Sequence, residues 1–465
     1  MFVGRSRELE ALNRMYNSGR FECAIVYGRR RVGKTTLIKE FIKGRNAVYF
    51  LAREADGNAN LSGFSADVYT VTAPGLRRKA SFSDWENAFE YIGQVSQDTR
   101  MVLVIDEYPY LAGGYPPISS IIQAHIDTRL KDGKLFLILC GSSMSFMEHQ
   151  VLGYKSPLYG RRTAQFKVLP FDYFESQLFL DTFDEEERAT VYGFTGGVPD
   201  YLDRIDPAKT VRENIIDAFL TPSGRLYEEP ANLLKQELRE PAVYNSLIGA
   251  IAGGASRLNE IAGKSGMESN KCAKYLASLM ALGIVKKEFP VTGAAASRKT
   301  LYRLDDLMFR FWYRFVFPNM SAVMSGLGEA VYDLEIAGRL PAYMGLVFEE
   351  ICRQYLTGEA RRGALPFLPG RVGRWWGGNP KEKRQEEIDI LAYRNDSALF
   401  CECKWTNAPV DLGVLNDLMA QSRLFSFKHQ WFWLFAKTGF TDALARESER
   451  LGNVRLVRFS DMAPG

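Results

Sequence analysis

The sequence predicts an α/β protein: a parallel sheet covered by helices, then a helical lid, a winged helix-turn-helix and a second α/β unit at the C-terminus. Three observations carry this expectation. Across residues 1–170, short apolar runs alternate with helical stretches, the pattern of strands buried on both faces. In the middle of the chain, two short helices precede two β-prone stretches. Towards the end, two strands flank a tight turn at Asn395 and Asp396.

Taken in order, residues 23–27 read as a strand that enters a glycine-containing turn, and residues 35–42 as the helix that leaves it. Residues 47–52, 101–105, 135–140 and 166–169 are further short apolar runs, with a helix at 85–95. The first domain is expected to end at Pro170. Residues 171–237 are helical but broken at Gly196, Gly197 and Pro199, enough for a lid and no more. In 238–317, helices at 258–264 and 270–282 are separated by a turn at Ser265 and Gly266, and strands follow at 284–289 and 300–304. Lys271 and Lys274 are expected on the outer face of the second helix, with Tyr275, Leu276 and Leu279 turned inward. An aromatic connector at 309–317 leads to the last domain, 318–465.

The length of 465 residues exceeds what one core organises, so about three domains are expected. A composition of 46% hydrophobic and 25% charged residues leaves no room for a long disordered region. With 59 basic against 55 acidic residues, a nucleic-acid surface would have to come from local clustering. The six cysteines, Cys23, Cys140, Cys272, Cys352, Cys401 and Cys403, form no C-x-x-C pair, and with three histidines structural zinc is not expected. Cys401 and Cys403 read as a reduced pair on one strand. The charged N-terminus lacks the apolar stretch of a signal peptide, and no apolar run reaches about 18 residues. A cytoplasmic protein with no membrane partner is the expectation.

Chemistry enters at GRRRVGKT, residues 28–35, which fits G-x-x-x-x-G-K-[ST]. Gly28 and Gly33 permit a loop, through Arg29, Arg30, Arg31 and Val32, whose backbone N–H groups turn inward on phosphates. The helix carrying Lys34, Thr35 and Thr36 aims its positive end at the same point. Lys34 would reach the β- and γ-phosphates, and Thr35 would give a hydroxyl to Mg²⁺. The competing reading is a surface turn, which does not explain the strand before and the helix after. A second element, MVLVIDE at 101–107, delivers Asp106 to the end of a buried strand, where it can hold Mg²⁺ through water. Glu107, one residue on, can orient and deprotonate the attacking water. ATP and Mg²⁺ are therefore the expected cofactors, and ATP hydrolysis the expected reaction.

With these motifs the sequence resembles the additional-strand class of P-loop NTPases, and within it the AAA+ and signal-transduction ATPases of the archaeal-type family. FVGRSREL, residues 2–9, is similar to that family's N-terminal box, which implies that Gly4 and Arg5 border the adenine. Residues 135–143 fall where such proteins have a sensor strand, implying that Ser142 or Ser143 touches the γ-phosphate or the water. Arg161 and Arg162 fall in the region of the arginine finger, where a cation offsets charge growing on the phosphoryl oxygens. A surface arginine pair is an equal reading, and action within the chain or across a nucleotide-dependent homo-oligomer is open. Gly196-Gly-Val-Pro199 resembles the G-x-P motif of the signalling-ATPase lid, which sets Pro199 against the nucleotide; a helix-breaking turn is the alternative. The helix pair of the middle domain can enter a major groove or act as an internal lever, and fold alone does not choose.

The C-terminal hairpin carries a second constellation. If the turn has two residues, Arg394 pairs with Ser397, and counting outward sets Asp389 opposite Glu402. Two facing carboxylates repel unless a divalent cation lies between them. Lys404 shares a face with Glu402 because strand side chains alternate. This set resembles the core of the PD-(D/E)xK nuclease superfamily, which implies a restriction-endonuclease-like fold, acids that hold Mg²⁺ and a lysine that positions water. The resemblance also asks for an acid on a preceding helix, with Glu349 the first candidate beside Glu350. Gln421 and Phe425 match a Q-x-x-x-aromatic feature of some members, while no proline precedes Asp389. Between 361 and 384 lie seven Lys or Arg against one Glu, interleaved with Trp375 and Trp376. Such a segment suits a phosphate backbone, or is simply a solvated basic loop. The tail also resembles the domain of unknown function that closes many archaeal-type ATPases. The expected partner is DNA or another nucleic acid, in either an ATP-driven machine with a nuclease-like tail or a signalling ATPase whose tail only binds; whether the tail cuts is open.

Overall fold

The computed structural model describes residues 2–77, 80–293, 299–380 and 382–462. The chain divides into two compact units, Met1–Pro170 with Val198–Asp200, and Phe171–Gly197 with Tyr201–Gly465.

The first unit is built on five parallel strands: β1 (Glu22–Tyr27), β2 (Ala47–Leu51), β3 (Met101–Asp106), β4 (Leu135–Gly141) and β5 (Ala164–Lys167). Their spatial order is β2-β3-β4-β1-β5, so β4 intervenes between the phosphate-loop strand and the acidic strand, as the additional-strand resemblance implies. Every residue of β1, β3 and β4 is buried, which is why each reads as an unbroken apolar run. On the edge, β5 alternates between partly covered and exposed residues and begins at Ala164, two residues before the expected start. Helices α1 (Ser6–Asn17), α2 (Lys34–Ile42), α3 (Gly57–Thr72), α4 (Trp85–Val95), α5 (Tyr108–Gly114) and α6 (Ile118–Thr128) complete the unit. Leu37, Ile38 and Phe41 of α2 pack with Val26, Val104 and Ile138 of the sheet. That packing fixes the start of α2 against the ends of β1 and β3. Caps set other helix starts, as where the Asp56 side chain accepts the Ala59 N–H at 2.8 Å.

In the second unit, α7 (Glu185–Thr195) starts at a capping box of Asp184 and Glu187. Helices α8 (Pro241–Ala252), α9 (Leu258–Lys264) and α10 (Ser269–Ala281) precede an antiparallel hairpin, β6 (Val285–Glu288) with β7 (Leu301–Leu304). The helix, turn, helix, hairpin order matches the sequence expectation. On α10, Lys271 and Lys274 are exposed, and Cys272, Leu276 and Leu279 are buried. Tyr275 departs from its expected inward position: it is only partly covered, with its ring against Tyr244 and its hydroxyl on Glu240. The expected aromatic connector is instead a core helix. Leu307–Phe311 runs on into Trp312–Val316, and Phe309, Phe311, Trp312 and Phe315 are buried. Burial of so many rings is favourable only inside a core, and the Trp312 indole N–H still finds the Tyr227 carbonyl at 2.7 Å.

The chain then forms α11 (Leu340–Arg362) and a five-stranded mixed sheet of β8 (Arg371–Asn379), β9 (Arg384–Arg394), β10 (Ser397–Lys404), β11 (His429–Ala436) and β12 (Val454–Arg458), in the order β12-β11-β10-β9-β8. Strands β8, β9 and β10 are antiparallel neighbours; β10, β11 and β12 are parallel. The crossovers are α12 (Leu412–Ser422) and α13 (Asp442–Leu451). Strand β8 replaces the alternative of a solvated loop over part of residues 361–384: Trp375 packs edge-on against Phe425, and Arg371 and Arg374 ride on a strand paired to β9. Lys381 of that segment lies outside the described residues. Among the described residues, no helix is long and apolar enough to cross a membrane.

Candidate functional site

Two constellations assemble, one in each unit. In the first, β1 ends at Tyr27 and the loop begins at Gly28, where a Cβ would stand 2.2 Å from the Val168 carbonyl oxygen. Only glycine lets β5 and the loop approach so closely. The loop closes at Gly33, with φ of 86°, and Arg31 also adopts a left-handed conformation, at φ of 70°. Lys34 is buried and its Nζ donates to the carbonyls of Gly28 and Arg29, at 2.8 and 2.9 Å. Thr35 and Thr36 are exposed on the first turn of α2.

The Thr35 hydroxyl donates to Asp106 Oδ2 at 2.9 Å, and Asp106 Oδ1 accepts the Glu107 N–H at 2.9 Å. Thus the expected hydroxyl and carboxylate partners of a cation meet directly. Glu107 has φ of 52°, and its Oε2 accepts the Ser142 hydroxyl at 2.8 Å and the Ser142 N–H at 3.3 Å. Of the two serines at the sensor position, Ser142 is therefore the one brought to the acid. Tyr49, which sequence reasoning missed, donates its hydroxyl to Asp106 Oδ2 at 2.6 Å. Burial first, then the bond to Asp106, pushes the Tyr49 phenol well above its usual range. A hydroxyl-bearing ring in the otherwise apolar strand 47–52 was the available signal.

The remaining expected contacts divide. Pro199 Cγ lies 3.7 Å from where a Cβ on Gly33 would stand, and Asp200 pairs with Arg31 at 3.6 Å, so the G-x-P segment lies against the phosphate loop. Arg30 reaches the Tyr110 hydroxyl at 3.0 Å. Arg29 and Val32 are buried. Arg5, beside Gly4 with φ of 68°, is buried and donates to the carbonyls of Val32, at 2.9 Å, and Leu169. Its guanidinium ties the phosphate loop to the end of β5. Arg161 forks onto Asp127 with bonds of 3.2 and 2.9 Å, as the surface reading of the arginine pair has it. A bidentate carboxylate satisfies the guanidinium at the surface and holds it there.

The second constellation lies in the C-terminal sheet. Arg394 pairs with Ser397, as the two-residue turn requires, and Asn395 supplies the left-handed residue at φ of 51°. The ladder continues to Cys401 opposite Ile390, so the next position in register sets Asp389 opposite Glu402. Asp389 accepts the Cys403 N–H at 2.9 Å, and Lys404 Nζ donates to Glu402 Oε1 at 2.6 Å. Glu349 and Glu350 of α11 both line the same cavity as Asp389, and Glu350 is also held by Arg353 and by Gln354 at 3.0 Å.

Burial and then the Asp389 charge push both Glu349 and Glu402 up to about 7. Burial also raises Asp389, against the Cys403 N–H, Lys404 and Arg303. Burial alone would lower Lys404, but Glu402 and Asp389 raise it. Three acids thus share one field. They do not form a closed cage, because among the described residues no three His, Cys, Asp or Glu side chains are placed to hold one ion. Lys404 draws Glu402 to itself, and the Cys403 amide engages Asp389, so the expected set of Glu349, Asp389 and Glu402 shares one field without closing on one point. Gln421 sits apart, donating to Glu386 at 3.1 Å, and Phe425 packs in the core. All six cysteines are free thiols.

Comparison with known proteins gives two matching family models. One, an ATPase domain predominantly from Archaea, matches residues 2–205. The other, of archaeal and bacterial proteins of unknown function, matches residues 312–416. An uncharacterized protein of Methanocaldococcus jannaschii is 34% identical over 414 residues, 87% of this chain and 88% of that protein. An uncharacterized ATP-binding protein of the same organism is 53% identical over 45 residues, 10% of this chain and 76% of that protein. Among solved structures, a Walker-type ATPase of Pyrococcus abyssi is similar at 18% identity with a TM-score of 0.49, over 67% of this chain and 96% of that one.

Proposed function

The chain belongs to the ATPase family found predominantly in Archaea, and from that premise we propose that it hydrolyses ATP with Mg²⁺ and couples turnover to a C-terminal site that acts on nucleic acid. The observation that carries the first half is the linked pair of bonds, Thr35 to Asp106 and Ser142 to Glu107. The donor set fits a magnesium nucleotide: a hard hydroxyl and carboxylate side by side, at the N-terminal end of a helix behind a phosphate loop. When bound, the metal neutralises charge on the phosphates. Thr35 and Asp106 would hold it, and Lys34 would turn from the loop carbonyls to the phosphates. Glu107, steered by Ser142, orients the attacking water and takes its proton.

For the second half, Asp389, Glu402 and Lys404 offer two register-opposed acids and a cation, the set that metal-dependent phosphodiester cleavage uses. Asp389 and Glu402 would hold Mg²⁺ there, and Lys404 would steady charge on the phosphoryl oxygens. A second reading is favoured by the open disposition of the three acids: a regulatory ATPase switch whose tail binds without cutting. One assay separates them. Phosphate release and cleavage of labelled DNA and RNA are measured on one preparation, with Mg²⁺ or Mn²⁺. We expect cleavage that is lost in Asp389→Ala and in Lys404→Ala while phosphate release persists. ATP turnover with no cleavage of any substrate would leave only the switch.

A further inference from the structure

The β6–β7 hairpin does not stand free to enter a groove. The chain just beyond β6 is fastened to the C-terminal sheet: the Val291 N–H donates to the Arg374 carbonyl at 3.0 Å, and the Tyr393 hydroxyl donates to the Val291 carbonyl at 3.2 Å. Val291 is buried with Ile388 and Leu391, and a Cβ on Gly373 would stand 3.3 Å from it, so glycine lets the two segments meet. The hairpin thereby becomes one wall of a cavity of about 630 Å³ whose other walls carry Glu349 and Asp389.

The basic lining comes from four elements: Lys286, Lys287 and Arg303 of the hairpin, Arg310 of the following helix, Arg353 of α11, and Arg371 and Arg374 of β8. Glu288, Asp305 and Glu350 line it as well, and Lys286, Arg303 and Arg374 each pair with an acid, so among the described residues Lys287 and Arg371 carry its exposed free positive charge. Trp376 adds an aromatic face. A second cavity of about 230 Å³ shares Arg303, Arg310 and Leu346 with the first and adds Arg314, so the basic surface continues past it. Arg303 is close enough to lower the pKa of both Glu349 and Asp389. Lys287 and Arg371 are exposed, and neither has an acidic partner among the described residues.

Building on the nucleic-acid reading of the C-terminal site, we propose that this cavity is a channel for a single nucleic-acid strand, with the hairpin as its phosphate-contacting wall. A run of cations with an aromatic face is how a backbone is tracked without reading sequence. The volume is that of a site enclosing a small ligand or a short length of one strand. A duplex, whose major groove alone is about 12 Å wide, reads a protruding element, and here the hairpin is pinned to the sheet.

The test is fluorescence anisotropy of the full chain in EDTA, with a labelled strand of about twelve nucleotides as DNA, as RNA, and as the matching duplex. Wild type is compared with the double charge reversal Lys287→Glu and Arg371→Glu, both exposed and remote from the core. We expect one of the single strands to bind at least roughly tenfold tighter than duplex, and the reversal to weaken it by at least that factor and to lower the slope of log affinity against log salt by about two. Duplex binding as tight as single-strand binding overturns the channel, as does a reversal that changes neither affinity nor slope. Cleavage restricted to duplex would overturn the channel and spare the nuclease reading. Tight single-strand binding without cleavage would do the opposite. Binding to none of the three probes overturns both.

Discussion

Tyr49 and Thr35 both donate to the same oxygen of Asp106, at 2.6 and 2.9 Å, so that carboxylate is aimed from a neighbouring strand and a helix. A hydrogen bond to a charged acceptor contributes about 1.5–3 kcal/mol. Tyr49→Phe should fold and bind ATP, yet need more Mg²⁺ for half-maximal phosphate release and turn over roughly tenfold more slowly. A magnesium titration superimposable on wild type would contradict this role. At the other site, Glu349 is held at about 7 against its usual 4.5. A carboxyl raised in the folded state favours folding most below its unfolded pKa, and that advantage is lost as pH rises through the folded one. In EDTA, Glu349→Gln should therefore gain stability over wild type between about pH 5 and pH 7, levelling at about 1–3 kcal/mol above that window. Thermal unfolding across this range checks it, and a gain that does not change with pH would count against the buried charge.

At the scale of elements, the phosphate loop depends on the closeness of β5. Gly28→Ala would drive a Cβ into the Val168 carbonyl, backbone that cannot swing aside, so the loop or the edge strand must shift. We expect a fall in melting temperature of several degrees together with loss of nucleotide binding, read by calorimetry with and without ATP. Wild-type ATP affinity in this variant would show that the approach is not required. The same scale explains what could be read from sequence. Strands β1, β3 and β4 announce themselves because both faces are buried, and the β9–β10 register follows from turn length alone. Strand β8 hides because Gly373, Gly377, Gly378 and its arginines read as loop, and only the Trp375 contact with Phe425 gives it a core face. The helix through Trp312 hides for a different reason: it is apolar nearly all round, broken only by Arg310 and Arg314, so a buried helix and a linker look alike.

For the whole molecule, the sequence pattern was most informative where chemistry forces a spacing and least where long-range partners decide. Gly28, Gly33, Lys34, Thr35, Asp106 and Glu107 stand together because a phosphate loop and an acidic strand end leave few alternatives. The partners of Arg5 and Arg161, the Val32 carbonyl and Asp127, were not legible, because an arginine takes whichever carbonyl or carboxylate the fold brings within reach. The hairpin's attachment to the C-terminal sheet, through Val291, could not be read from either segment separately. Both sites nonetheless set acids beside cations: Asp106 near Lys34 and Thr35, and Glu402 beside Lys404. The claim on which the rest depends is that Glu107 acts on water and not on nucleotide binding. ATP affinity and steady-state phosphate release measured side by side for wild type and Glu107→Gln test it most directly. The account predicts unchanged ATP affinity with turnover reduced by roughly a hundredfold or more; equal turnover in the two proteins would contradict it.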